Sequence, residues 1–422
     1  MTDAPFMTQF RLEFSDDGIV HLIFDCPGRT MNLFSNAAIE DIGAFSAWLP
    51  GAPVRGVLIR SGKENAFCAG ADLTELQTAY DEIVASPPHR RFNHAFEHFF
   101  RLSAALRGLE AAGKPVVAAI AGLALGGGCE LAMAAHYRVL VDAPGVALGL
   151  PESLVGLLPG GGGTQRLPRL IGVEAALPIL LGGVRLEGQA ALAAKLVDAL
   201  AVPGEEIARA EAWLRQQTTR SQPWDCDGWQ SMQAADVSAA IAPVRAEVTA
   251  HTLGNYPAPL AILDCIEFGL PQVFDGAIRT EMAIFAHLIQ REEPRNMIRT
   301  MFVAKTEYER LKRKDALPAS LSAGLAVAKA AMASLPDNPN LASAGFGNIA
   351  LGATRRPTKG LWLDEPEAQP SRKEVDRIAA EIEAVARDWS GDERRLLDYA
   401  VVSTLGFPAY LGGPLAWAMR QA

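Results

Sequence analysis

Three segments of this chain place chemically useful residue types at useful spacing. The first is Asn65-Ala66-Phe67-Cys68-Ala69-Gly70-Ala71-Asp72-Leu73. The second is Leu125-Gly126-Gly127-Gly128-Cys129-Glu130-Leu131-Ala132. The third runs from Gly149-Leu150-Pro151-Glu152 through Gly156-Leu157-Leu158-Pro159 to Gly160-Gly161-Gly162-Gly163-Thr164-Gln165-Arg166. Glycines let a backbone turn tightly and let a ligand approach with no Cβ in the way. Where such a run opens a helix, unpaired amides and the helix dipole favour negative charge, such as a carbonyl oxygen becoming an enolate. A second amide, from the Gly70-Ala71 turn, would complete an oxyanion hole, worth about 2.7–4 kcal/mol per donor. Glu130 then falls in the first turn of the helix, and Glu152 lies on a loop after the next strand. Two carboxylates converging on one pocket are what proton addition and water activation require. Each signal has a plainer reading when taken singly. A glycine run can be a tight connection, a first-turn glutamate can simply favour the dipole, and Glu152 can be solvated. Cys68 and Cys129 read as small core residues.

These segments need elements to hold them. Residues 17–24, 54–60, 114–121 and 137–141 are β-branched runs ended by turn residues, and they read as strands. Helical spacing separates them, as over 92–112, where Phe92, Phe96, Phe99, Phe100 and Leu106 lie broadly on one side. This alternation over the first two hundred residues indicates an α/β domain, and helical periodicity takes over from about 205. Asp142-Ala143-Pro144-Gly145 is expected to loop out at a strand end, leaving Glu130 and Glu152 facing one cavity. Segment 77–91, broken by Ser86-Pro87-Pro88, reads as a mobile lid over the substrate pocket. Residues 313–370 read as a linker or loosely packed subdomain. A helix is expected from Ser371, with capping-box spacing to Glu374 and the apolar stripe Val375, Ile378, Ile382, Val385, Trp389. That stripe should dock on residues 205–312 or on a second subunit, with Gly406-Phe407-Pro408 ending the last long helix.

Composition sets wider bounds. The 422 residues, 49% hydrophobic and 21% charged, suit a globular protein of two or three domains. No run approaches the ~20 apolar residues of a membrane span, and the first residues lack the pattern of a secretory signal. Five scattered cysteines indicate neither a zinc site nor a disulfide framework, so a reduced cytoplasmic setting is the default. A net charge of −9 argues against nucleic-acid binding. Two decoys fall away. Gly108 to Lys114 nearly spells a phosphate-binding loop, but Pro115 supplies no hydroxyl and the order is helix then strand. His89, His94 and His98 suggest a metal, but no H-E-x-x-H glutamate accompanies them.

In this order, the three segments resemble the signature of the crotonase (enoyl-CoA hydratase/isomerase) superfamily over about residues 10–200. The resemblance implies an α/β fold: a crotonase-type β/β/α spiral core, here followed by a helical C-terminal region. It implies that the amides of Ala71 and Gly127 form the oxyanion hole for a thioester oxygen and that Glu130 and Glu152 are the catalytic carboxylates. Glu130 would hold and activate water, and Glu152 would protonate the α-carbon. Ala69, Asp72 and Leu73 would be further substrate contacts. Retention of both glutamates favours hydration of a 2-enoyl-CoA. A 3-enoyl to 2-enoyl-CoA isomerase and a non-catalytic acyl-CoA-binding or assembly module remain alternatives. No metal or redox cofactor is implied, since CoA belongs to the acyl-CoA substrate; a homo-oligomer is compatible.

Residues 222–228, 256–263, 274–281 and Met297 to Thr300 are similar to the linker of multifunctional fatty-acid oxidation enzymes. Asp398-Tyr399-Ala400, Leu405 to Pro408 and Gly412-Gly413-Pro414 are similar to the closing helices of their dehydrogenase part. The nucleotide-binding unit expected near 315 is missing, and Gly345-Phe346-Gly347-Asn348-Ile349-Ala350 lacks the strand and helix that NAD binding needs. The expected organisation is therefore a hydratase-like domain at 1–204, a helical linker at 205–314 and a dehydrogenase-like remnant at 315–422.

Overall fold

A computed structural model describes residues 4–64, 66–218, 220–252, 254–333 and 369–421. The chain forms two compact units. One comprises residues 1–152, 158–241 and 261–287, and the other 153–157, 242–260 and 288–422.

The first unit is built on two sheets. Strands β1 (Phe10–Phe14), β2 (Ile19–Phe24), β3 (Gly56–Ser61), β5 (Val116–Ile120), β7 (Tyr137–Val141) and β10 (Ala199–Ala201) form the larger, in the order β1-β2-β3-β5-β7-β10. The first pair is antiparallel and the remaining pairs are parallel. Strands β4 (Ala66–Cys68), β6 (Leu123–Leu125), β8 (Ala147–Gly149) and β9 (Arg185–Glu187) form the smaller sheet in that order, with β4, β6 and β8 parallel.

The chain winds as a spiral with a fixed turn: a large-sheet strand, a short small-sheet strand, then helix. β3 and β4 lead to α2 (Leu73–Ala85) and α3 (Pro88–Glu110), and β5 and β6 lead to α4 (Gly127–Ala134). β7 and β8 lead to a 3-10 turn at Glu152–Val155 and then α5 (Gly163–Ile171). The four strands expected from β-branched runs are β2, β3, β5 and β7. The Asp142 to Gly145 stretch is the turn between β7 and β8, with Gly145 at φ 81°.

Helices α1 (Asn36–Trp48), α6 (Val173–Gly182), α7 (Gly188–Ala193) and α8 (Glu206–Arg215) complete the surround. Ala210 and Leu214 of α8 bury against Ile19, Leu58, Val117 and Val139 of the large sheet. Pro87 separates α2 from α3, so the expected break in 77–91 is a helix-to-helix junction, with Ser86 Oγ 3.0 Å from His94 Nδ1.

Among the described residues, every regular element beyond β10 is helical: α9 (Ala234–Thr252), α10 (Pro257–Gly269), α11 (Phe274–Leu288), α12 (Glu292–Met297), a π-helical stretch Ile298–Ala304, α13 (Lys305–Arg313), α14 (Ser320–Ala333), α15 (Gln369–Ala386), α16 (Gly391–Leu405) and α17 (Pro414–Gln421). Three expectations need correction. Residues 320–333, expected to be irregular, form α14, because Leu321, Ala328 and Ala331 find an apolar partner surface. The helix expected from Ser371 already begins at Gln369, so Ser371 is no N-cap; the capping box is at Ser390 and Glu393, opening α16. Val385 is 40% exposed, whereas Val375, Ile378 and Ile382 are fully buried.

Within the second unit these residues join Leu321, Leu397, Val401, Phe407 and Leu415 in one core. Gly406 ends α16 in the left-handed conformation (φ 75°), as the Gly-Phe-Pro sequence requires. Gly345 to Ala350 lie outside the described residues. Among the described residues no helix is long and apolar enough to cross a membrane.

Candidate active site

β4, β6 and β8 are adjacent and parallel, so their C-terminal ends open on one edge of the small sheet. The first segment leaves β4, the second leaves β6 and Glu152 leaves β8. Segments tens of residues apart thus share one edge, the usual place for ligands in parallel sheets.

The Ala69 to Asp72 turn is fixed from outside. The Asn32 side chain, fully buried, donates to Phe24 O (2.7 Å), Phe67 O (3.0 Å) and Ser61 Oγ (3.0 Å) and accepts from the Cys26 amide (2.9 Å). The Ala69 amide donates to Asn32 O, and the Phe34 amide to Gly70 O. The Asp72 amide donates to Phe34 O, and the Ala71 amide, between these bonds, is used by neither.

Ala71 itself is exposed. Ala69 is half-buried, and Leu73 opens α2. The Asp72 carboxylate caps α2, accepting from the amides of Thr74 (3.0 Å) and Glu75 (3.4 Å), and pairs with Arg29 at 2.8 Å.

Gly126 has φ 53° and ψ −126°, which only glycine adopts at low cost. Its amide donates to Gly149 O of β8, and its carbonyl accepts from Glu130 N to start α4. Gly127, at the first position of α4, has no intrahelical carbonyl for its amide. The two turns are in contact, since a methyl group on Gly70 would stand 3.3 Å from Leu125 O and 3.9 Å from Gly127 N. One on Gly126 would stand 2.8 Å from Glu152 Oε1. The Ala71 turn, the Gly127 turn and the Glu152 carboxyl therefore converge.

Glu130 is buried, and its Oε1 accepts from the Gly161 amide (2.7 Å) and the Gly163 amide (2.8 Å). Burial raises its pKa, while these two bonds and the Arg166 guanidinium oppose the rise. Glu152 is different. Its residue is half-buried, but Oε2 is sealed from solvent and has no hydrogen-bond partner among the described residues. Burial first, then the negative charge of Glu130, pushes its pKa well above the carboxylate range. The two carboxylates thus lie within electrostatic reach of each other in different environments. One accepts two loop amides; the other leaves one oxygen unpartnered, and its burial favours the neutral form.

Three further residues were given no role by the sequence, although Arg166 closes the third segment and Glu281 closes the stretch 274–281. Glu281 of α11 is fully buried and accepts from Gly162 N (2.7 Å), Thr164 N (3.0 Å) and Thr164 Oγ1 (2.5 Å). Arg166 and Glu110 form a fully buried pair at 2.9 Å, and Arg166 also donates to Gly161 O at 2.6 Å. Arg166 lies 5.1 Å over the Phe274 ring. This pair ties down the loop that offers amides to Glu130, and breaking it would leave a buried charge uncompensated. Cys68 and Cys129 are buried, and burial raises both thiols, Cys68 to about 12. Neither is a nucleophile in this state.

The chain is similar to proteins of one family. Residues 15–247 match the family model described as enoyl-CoA hydratase/isomerase. The fatty acid oxidation complex subunit alpha of Shewanella amazonensis is 37% identical over 308 residues, covering 71% of this chain and 42% of that protein. Its namesake from Shewanella frigidimarina is 35% identical over 306 residues, covering 71% and 41%. The chain thus spans less than half the length of these curated relatives. Among solved structures, an enoyl-CoA hydratase from Bacillus anthracis is 25% identical, covering 62% of this chain and 91% of that one at a TM-score of 0.43.

Proposed function

Because the chain belongs to the enoyl-CoA hydratase/isomerase family, we propose that its site adds water across the C2=C3 bond of a 2-enoyl-CoA. The thioester oxygen sits between the amides of Ala71 and Gly127, with Ala69 and Leu73 beside it. Water held by Glu130 attacks C3 and gives its proton to Glu130. The π electrons of C2=C3 move onto the thioester oxygen as an enolate, and the two amides stabilise the charge. The Glu152 carboxyl then protonates C2 as the carbonyl re-forms. Water's oxygen and one hydrogen end on C3, and Glu152's proton ends on C2. A proton passing from Glu130 to Glu152 resets the site.

The observation that carries this reading is the unequal pair. Glu130 accepts two amides near Arg166, which suits a base, while burial and the charge of Glu130 favour the protonated form of Glu152, which suits an acid. The two environments support the roles that the resemblance implies. The thioester itself acidifies C2, so the reaction draws on no cofactor beyond the CoA of the substrate. The relatives' name suggests fatty-acid β-oxidation as the setting.

Steady-state assay with crotonyl-CoA and longer 2-enoyl-CoAs tests the proposal, and hydration at ordinary enzymic rates is expected. Isomerisation of a 3-enoyl-CoA with negligible hydration would overturn it.

A further inference from the structure

Four consecutive residues, Gly161 to Thr164, send their amides alternately to two carboxylates. Gly161 and Gly163 donate to Glu130 Oε1, while Gly162 and Thr164 donate to Glu281. The Thr164 hydroxyl adds a third bond to Glu281. A loop gripped on alternate amides has one register. Sliding it by a residue would turn the wrong amides to Glu130 and leave buried donors unpaired, which is costly.

We propose that Glu281 is a positioning residue of the acid–base site: by holding Gly162 and Thr164 it fixes the loop whose other amides orient Glu130. This rests on the hydration reading for its function but on the loop geometry for its existence. The groups facing Glu281 are Glu130 from α4, Glu152 after β8, Arg166 and Arg169 from α5, and Cys265 from α10. Burial first, then the charge of Glu130, raises Glu281 to about 8, and ionised Glu281 in turn raises Glu152. Removing its charge therefore moves the titration of the remaining pair toward acid.

The experiment compares full-length wild type, Glu281→Gln, Thr164→Val and Thr164→Ser. Gln offers one acceptor oxygen and sets an NH2 against a backbone amide, so the loop shifts. Glu281→Gln is expected to lower kcat for crotonyl-CoA roughly 10- to 100-fold, the cost of a small misplacement of a reacting group. KM should change little, and the pH–rate profile should move to lower pH. Thr164→Val should lose part of the rate and Thr164→Ser should recover it.

A folded Glu281→Gln enzyme with wild-type kcat and pH profile overturns the proposal. If that variant fails to fold, the threonine pair decides, and equal rates and profiles in Thr164→Val and Thr164→Ser overturn it. Infrared titration of the buried carboxyls gives a readout independent of turnover. In Glu281→Gln one carboxyl band should vanish and the others titrate lower; unshifted bands overturn the proposal. Wild type inactive on crotonyl-CoA would sink the hydratase reading alone, leaving the infrared titration to decide this one.

Discussion

Glu130 and Glu152 carry the same functional group, yet Glu130 Oε1 takes two backbone amides while Glu152 Oε2 takes none. That difference gives the first prediction. Glu130→Gln and Glu152→Gln should each lower crotonyl-CoA hydration about 10²–10⁴-fold, the usual share of general acid–base catalysis, with unchanged melting temperature. Near-wild-type turnover in either variant removes that residue from the mechanism. The pH dependence follows. The proposed mechanism needs Glu130 ionised and Glu152 protonated, so kcat should fall in acid as Glu130 takes up a proton. It should fall again as pH rises past the raised pKa of Glu152. In Glu152→Gln the alkaline limb should disappear from the residual rate. The identity and spacing of both glutamates were legible in the sequence. Their unequal environments were not, because the burial of Glu152 and the amides of Gly161 and Gly163 on Glu130 come from tertiary packing.

At the scale of elements, the β-branched strands were legible, whereas β1, Phe10-Arg11-Leu12-Glu13-Phe14, and the three-residue strands were not. β2, β3, β5 and β7 are β-branched runs, whereas β4, β6 and β8 are three residues each, too short to show a period. Yet these short strands bring the site together, and they tolerate little at their contacts. A Cβ on Gly128 would lie 2.4 Å from Cys68 O and 2.7 Å from Cys68 Cβ, at the crossing of α4 and β4. Gly128→Ala should therefore push the two elements apart. The cost is about 1–3 kcal/mol, the range for overpacking a filled core, and should appear in chemical denaturation together with weaker turnover. A variant as stable and active as wild type would show that α4 and β4 have slack.

On the scale of the whole molecule, the C-terminal helices were legible as amphipathic, but their partners were not. The stripe on α15 announced an apolar face; that it meets α14, α16 and α17 depends on Leu321, Leu397 and Leu415, separated along the chain. Asp398 of α16 should make this second unit sensitive to pH. It is buried, accepts from the amides of Leu415 (2.7 Å) and Ala416 (3.1 Å) at the start of α17, and lies 3.6 Å from Arg299. Burial raises it from 3.8 to about 7, so the folded state holds its proton more tightly than the unfolded chain. The resulting stability is fully present below about pH 4 and is lost as pH rises through about 7. Calorimetry should show a melting temperature that declines over this window, with a shallower decline in Asp398→Asn. Equal slopes in the two proteins would contradict the assignment.

The same core makes the tail structural rather than appended. α15 to α17 supply Val375, Ile378, Ile382, Leu397, Val401 and Leu415 to a cluster whose other side is Leu321, Ala328 and Ala331 of α14. Leu397→Ala should cost about 2–5 kcal/mol, the range for an emptied leucine site. Truncation at residue 370 removes all three helices and exposes the apolar face of α14, a patch a protein in water rarely leaves bare. The truncated chain should melt at lower temperature, bind a hydrophobic dye and self-associate in sedimentation. Its hydration rate per folded molecule should hold, since none of Ala71, Gly127, Glu130 and Glu152 lies in the second unit. A fragment that melts like the full chain and stays monodisperse would show the tail to be dispensable to the fold.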